Sequence, residues 1–172
     1  MLKLTGCVLI LIAGIGFGVS NSFYMKKQLE QLISFQETLY WIAGETKHFH
    51  RPLPEVFALL AKEKGGVYKK VFAMIEKRLL ECKYALGSEV WQKSFLEYQK
   101  EFICTREEFD VLLKSGCFLD AKEFKTQEKE LTFYEMQIGR MIEKRQRELK
   151  EKQRIGMYAS VLTGVFFMIL LL

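Results

Sequence analysis

Proline is nearly absent: Pro52 and Pro54 are the two in 172 residues. With only 12 glycines besides, the chain is not a disordered polymer, and long unbroken helices are open to it. Cysteine is sparse too. Cys7, Cys82, Cys104 and Cys117 contain no C-x-x-C pair, so neither a zinc knuckle nor a redox pair is indicated. In a reducing compartment the three outside the apolar start are expected as free thiols in small apolar niches. Histidine is limited to His48 and His50. A catalytic zinc needs a third ligand and a supporting shell, so these two read as part of a surface connection and no metal is expected. Nucleophile elbow, Walker loop and metalloprotease helix motif are all missing. Gly14-Ile15-Gly16-Phe17-Gly18 mimics a dinucleotide loop, but it follows no strand and lies in an apolar run. The glutamates alternate with lysines as on exposed helix faces. The expectation is a protein with no catalytic residues and no cofactor, not an enzyme.

Charge is missing at both ends. All 21 acidic and 25 of the 26 basic residues lie between Lys26 and Arg154; Lys3 is the exception. Residues 4–25 and 155–172 are uncharged, and as helices they reach about 33 Å and 27 Å at about 1.5 Å per residue. A bilayer's hydrocarbon core is about 30 Å thick. The chain therefore divides into a transmembrane helix over 1–25, a helical body over 26–154 and a transmembrane helix over 155–172. A cleaved signal peptide is the other reading of the first stretch, but Gly18-Val19-Ser20 is a weak cleavage site.

Basic residues set the orientation. Lys26 and Lys27 follow the first stretch, and Arg140, Lys144, Arg145, Arg147, Lys150, Lys152 and Arg154 precede the second. The positive-inside rule then puts the body on the cytoplasmic side, with the basic run near the lipid bilayer. That flank accounts for most of the net charge of +5. No aromatic-basic stripe or recognition-helix signature accompanies it, so no nucleic acid is expected. Gly14 with Gly18, and Ser160 with Gly164, are small-residue pairs for membrane helix packing, within one chain or in a homo-oligomer.

Inside the body, periodicity is helical and the expected fold is all-α, a six-helix bundle. Leu29, Leu32, Ile33, Leu39 and Ile42 share a face of a helix ending near Lys47. Pro52 and Pro54 break the chain and open a short helix; Gly65-Gly66 ends it. A further stripe runs from Val67 to Leu79. Ser88 is a candidate cap for the helix carrying Val90, Trp91 and Phe95. Thr105 with Glu108 fits a capping box, and Gly116 closes the helix after it. Asp120 with Glu123 is read as the cap of a last long helix with Phe124, Leu131 and Ile138 at seven-residue spacing, running without a break into the second apolar stretch. Fourteen phenylalanines and two tryptophans read chiefly as core at helical spacing.

Four segments carry a resemblance: Met1-Leu2-Lys3-Leu4-x-Gly6, Pro52-Leu53-x-Glu55, Gly116-x-x-Leu119 followed by Gln127, and Leu162-x-Gly164 with Met168-Ile169-Leu170-Leu171-Leu172. In order and spacing, over essentially the whole chain, they resemble the stage III sporulation protein AB family. Two positions differ. The family often has Leu-Gly-x-x-Asp where Leu119-Asp120-x-x-Glu123 stands, and a threonine where Arg51 stands. The resemblance implies a component of the membrane complex linking mother cell and forespore in endospore formation, sited in the mother-cell membrane around the forespore. It implies a body similar to the cytoplasmic domains of the type II secretion platform protein, the F component. Its partners would be the sporulation ATPase (the AA protein of the same operon) and other components of the complex. The expected function is thus a non-catalytic platform that docks an ATPase. The other reading is a membrane-anchored sensor or regulator that binds a soluble signalling partner. Pro52, Leu53, Glu55, Gly116, Leu119, Asp120 and Glu123 lie where helices are interrupted, and loops held by a rigid scaffold often carry binding residues. They are the candidate partner-binding set.

Overall fold

Residues 19–43 contain neither proline nor glycine, so nothing in them stops a helix. In the computed structural model the first helix, α1, accordingly runs Leu2–Gly44. The structure describes residues 2–49, 51–81 and 84–171, with the side chains of 2–22, 48–49, 157, 160–161 and 164–171 outside that description. Five further α-helices follow: α2 Leu53–Glu63, α3 Gly66–Glu81, α4 Gly87–Glu97, α5 Arg106–Lys114 and α6 Phe124–Leu171. A π turn occupies Glu45–Phe49, and 3-10 turns occupy Gln99–Glu101 and Ser115–Asp120. Among the described residues there is no strand, as the all-α expectation requires. The six helices are counted differently from that expectation. No separate terminal helices flank them; α1 and α6 include the two apolar stretches. Among the described residues no helix is long and apolar enough to cross a membrane. Most side chains of 4–25 and 155–172 lie outside the described set.

The chain forms two compact units, one of Met1–Glu30 with Ile142–Leu172 and one of Gln31–Met141. In the second, Trp91 of α4 is fully buried and meets one ring from nearly every neighbouring element. Phe35 of α1 and Phe57 of α2 lie at 6.1 Å between centroids, Phe72 of α3 at 6.5 Å, Phe95 of α4 itself at 4.7 Å and Phe118 of the 115–120 turn at 5.6 Å. Phe102 continues the cluster from Phe95 to Phe109 of α5, at 5.5 Å on each side. Each such ring removes about 150–250 Å² from water. At about 25 cal/mol per Å² this is worth roughly 4–6 kcal/mol before ordering costs. The indole N–H donates to the Leu112 carbonyl at 2.8 Å, so burial leaves that donor satisfied. Gly116 is buried against the same indole, where a Cβ would collide with the ring.

Two caps depart from the sequence reading. Ser88 is not the cap of α4, which starts at Gly87 with no side-chain cap from Leu86. Instead the Ser88 N–H donates to Asp120 Oδ1 at 3.0 Å, and the carboxylate favours the positive end of the helix. Asp120 is therefore not the cap of α6. That helix starts at Phe124, with the N–H groups of Thr126 and Gln127 donating to the Glu123 carbonyl at 3.0 and 3.1 Å. Phe124, taken as the first core position of α6, is exposed. The Thr105–Glu108 capping box is present as expected: Glu108 accepts from the Thr105 N–H at 2.7 Å, and Thr105 Oγ1 accepts from the Glu108 N–H at 3.4 Å. Gly66 has φ +59° at the turn between α2 and α3, a conformation suited to glycine.

Glu135 lies on the buried face of α6, between Leu131 and Ile138. Burial raises its carboxyl above the ordinary value, because the charged form loses water. The folded state thus holds a proton more readily than the unfolded chain. The stability linked to it is present at low pH and is lost as pH rises through the folded value.

Three variants test this packing in urea unfolding followed by circular dichroism. Trp91→Ala should cost about 3–5 kcal/mol, as large-to-small changes at buried aromatics do, and Gly116→Ala about 1–3 kcal/mol by overpacking. Glu135→Gln should leave stability unchanged near pH 4, below the ordinary glutamate value of about 4.3, and raise it at pH 7. A variant less stable than the native chain at pH 7 would contradict the assigned cause.

Candidate partner-binding site

The first predicted contact region is built by Pro52. It stands just before α2 with φ −59° and ψ 137°, and its carbonyl accepts from the N–H groups of Glu55 at 3.0 Å and Val56 at 3.2 Å. The turn is therefore fixed. Pro52 and Glu55 are exposed and Leu53 is half-buried. Glu55, in the first turn of α2, suits the positive helix end and still presents its carboxylate outward. Arg51 pairs with Glu45 at 3.2 Å, tying this turn to the π turn before it. Thr46 Oγ1 donates to the Ile42 carbonyl one turn back, at 2.8 Å.

The second region turns inward. Gly116 and Phe118 are buried, and Gly116 packs on Trp91. Leu119 lies over Gly87, whose Cβ, if present, would sit 2.7 Å from the Leu119 Cβ. Asp120 is engaged by Ser88. Gly116, Leu119 and Asp120 are thus gathered at the start of α4 and hold the fold. Gly116 lies where a helix is interrupted, and the chain reverses there against an indole. Glu123 is exposed. Of the predicted set, Pro52, Glu55 and Glu123 are exposed, Leu53, Leu119 and Asp120 are half-buried, and Gly116 is buried. Gly14, Gly18, Ser160 and Gly164 lie on α1 and α6, outside the residues whose side chains are described.

Next to this turn, the Cys117 thiol donates to Glu130 of α6 at 3.2 Å. Burial, then that bond, pushes the thiol up to about 11. Burial, then its hydrogen bond with Cys117, pushes the Tyr134 hydroxyl up to about 12. Cys104 is also raised to about 11, by burial and then by the Glu108 charge. Both thiols stay protonated at neutral pH, which is the opposite of an activated nucleophile. The side chains of His48 and His50 are outside the described residues. Among the described residues no group of three His, Cys, Asp or Glu could hold a metal ion.

Sequence reasoning missed an apolar surface on the same unit. Tyr40 of α1 and Phe133 and Met136 of α6 are each more than half exposed. Gln36 Nε2 donates to the Glu135 carbonyl at 3.2 Å, and Lys47 pairs with Glu128 at 2.6 Å. These two contacts run α1 and α6 antiparallel here, so Tyr40 falls opposite the part of α6 that carries Phe133. The signal was present, since Phe133 and Met136 fall off the face defined by Leu131 and Ile138. Exposed apolar side chains gathered in one patch are contact candidates, whereas single ones are ordinary. Chemically, the unit offers exposed carboxylates at turns and exposed aromatic side chains, which suits protein contact.

No curated protein matches this chain. The solved structure of a stage III sporulation protein AB (SpoIIIAB) superposes with a TM-score of 0.67 at 15% identity, over 72% of this chain and 97% of that one. At that identity the likeness speaks for the fold. The family model described as stage III sporulation protein AB matches residues 3–172. With nearly every residue inside that match, the chain belongs to the stage III sporulation protein AB family.

Proposed function

We propose that this protein is a non-catalytic platform of a sporulation membrane complex. Its two apolar ends span the mother-cell membrane around the forespore, and its helical body lies in the cytoplasm and docks the sporulation ATPase. Family membership supports the sporulation role. The observation that carries the membrane role is the confinement of all charge but Lys3 to residues 26–154, between two uncharged stretches long enough to span. Its structural counterpart lies at the inner edges of those stretches. Phe23 and Tyr24 on α1, and Ile155, Tyr158 and Leu162 on α6, are exposed by half or more. Aromatic residues at such edges favour the headgroup layer, where one side of the ring is apolar and the other wet.

The mechanism is mechanical. The ATPase meets the body at the exposed carboxylates Glu55 and Glu123 and the turn at Pro52 and Leu53, while α6 carries the contact toward the bilayer. No catalytic group enters this reading. Glu55→Lys with Glu123→Lys should lower copurification of the ATPase at least fivefold while helical content stays unchanged, since like-charge contacts at an interface are costly. Undiminished copurification would remove these two residues from the docking surface.

A further inference from the structure

In the unit of Met1–Glu30 and Ile142–Leu172, positive charge is unevenly used. Arg145 pairs with Glu148 at 3.0 Å, and Arg147 with Glu143 at 3.4 Å. Lys26, Lys27, Lys144, Lys150, Lys152 and Arg154 are exposed. Glu30 and Glu151 are the unit's remaining carboxylates, too few to balance them. Residues 150–156 are exposed at every position, so about two turns of α6 have no covering face among the described residues. A helix polar all round has little to hold it in isolation. The order along both helices is the same: cations on the body side, then exposed apolar side chains. Lys26 and Lys27 follow Phe23 and Tyr24, with the Lys27 ammonium 4.7 Å from the centre of the Phe23 ring. Lys150, Lys152 and Arg154 precede Ile155 and Tyr158. From Lys150 to Ile155 the helix rises about 7.5 Å, close to the roughly 6 Å depth of one headgroup layer.

We infer that Lys26, Lys27, Lys150, Lys152 and Arg154 form a binding surface for acidic phospholipid headgroups, so that the protein selects anionic lipid around its base. The inference rests on the membrane reading above and names the lipid class. Charge complementarity favours it: each cation near an acidic surface is worth about 1 kcal/mol, or roughly fivefold. The adjoining apolar side chains favour a lipid over a soluble anion. Arg145 and Arg147 are left out, because carboxylates of the same helix already engage them.

The test is electron spin resonance on the full chain in phosphatidylcholine bilayers carrying spin-labelled phosphatidylglycerol or spin-labelled phosphatidylcholine. The acidic lipid should associate about two- to fivefold more strongly than the zwitterionic one, and about 0.5 M NaCl should bring the ratio toward one, because salt screens exposed charges. The variant Lys26→Gln, Lys27→Gln, Lys150→Gln, Lys152→Gln, Arg154→Gln should lose the preference, while Arg145→Gln with Arg147→Gln keeps it. A native ratio near one at low salt, in protein that resists carbonate extraction, overturns the lipid selection and leaves the membrane reading standing. A preference that survives in the five-site variant overturns the assignment to these residues. Protein released by carbonate without detergent overturns both readings.

Discussion

The buried indole of Trp91 is the constraint on which the larger unit depends. It has one donor to satisfy and a wide apolar surface to cover, and both demands fall on the same few elements. The Leu112 carbonyl takes the N–H, which fixes α5 against α4. Gly116 supplies the only kind of residue that fits against the ring at that point, so the chain must reverse tightly after α5. That reversal delivers Leu119 onto Gly87 and Asp120 onto the Ser88 N–H. It also brings the Cys117 thiol to Glu130 of α6. Rings from α1, α2, α3 and the turn then close over the indole. A single side chain thus accounts for the seating of a stretch that the sequence marks only as an interruption.

The same packing separates what is held from what is offered. With Gly116, Phe118 and Asp120 engaged internally, the outward groups of this unit include the Glu55 carboxylate, Glu123, and the apolar side chains of Tyr40, Leu80, Leu86, Leu96, Phe133 and Met136. The smaller unit offers a different chemistry. Its exposed groups are cations followed by aromatic and aliphatic side chains, the sequence of properties met on passing from water through headgroups into hydrocarbon. Protein contact at the one and lipid contact at the other are what the proposed platform role would require.

Local chemistry was legible before the structure was known. The Pro52–Pro54 break, the Thr105–Glu108 box and the helical stripes through Leu32, Val71 and Trp91 all depend on neighbours within a few positions, and all are found. Asp120 reads as the cap of α6, but its carboxylate engages the Ser88 N–H at the start of α4, 32 positions away in the chain, and no local pattern reports that distance. Gly116 looked like a helix stop because glycine ends helices; the stronger reason, an indole at van der Waals range, belongs to tertiary packing. An interrupted helix tells where the backbone turns. It does not tell which side chains finish inside, and for this reason the burial of Gly116 against Trp91 is not legible locally. The continuity of α1 follows from the lack of proline and glycine over 19–43, and the onset of charge at Lys26 marks where that helix leaves its apolar stretch.

The central claim is that the body is tethered at both ends to a bilayer and faces the cytoplasm. The most direct measurement is thiol labelling in intact cells with a reagent that does not cross membranes, on chains whose native cysteines are replaced by serine. Single cysteines would stand at Leu2, at exposed Glu55 and at Leu172. The account expects labelling of the two end positions and protection of the one in the body until the membrane is permeabilised. A body position labelled in intact cells, or a chain recovered without detergent, would contradict it.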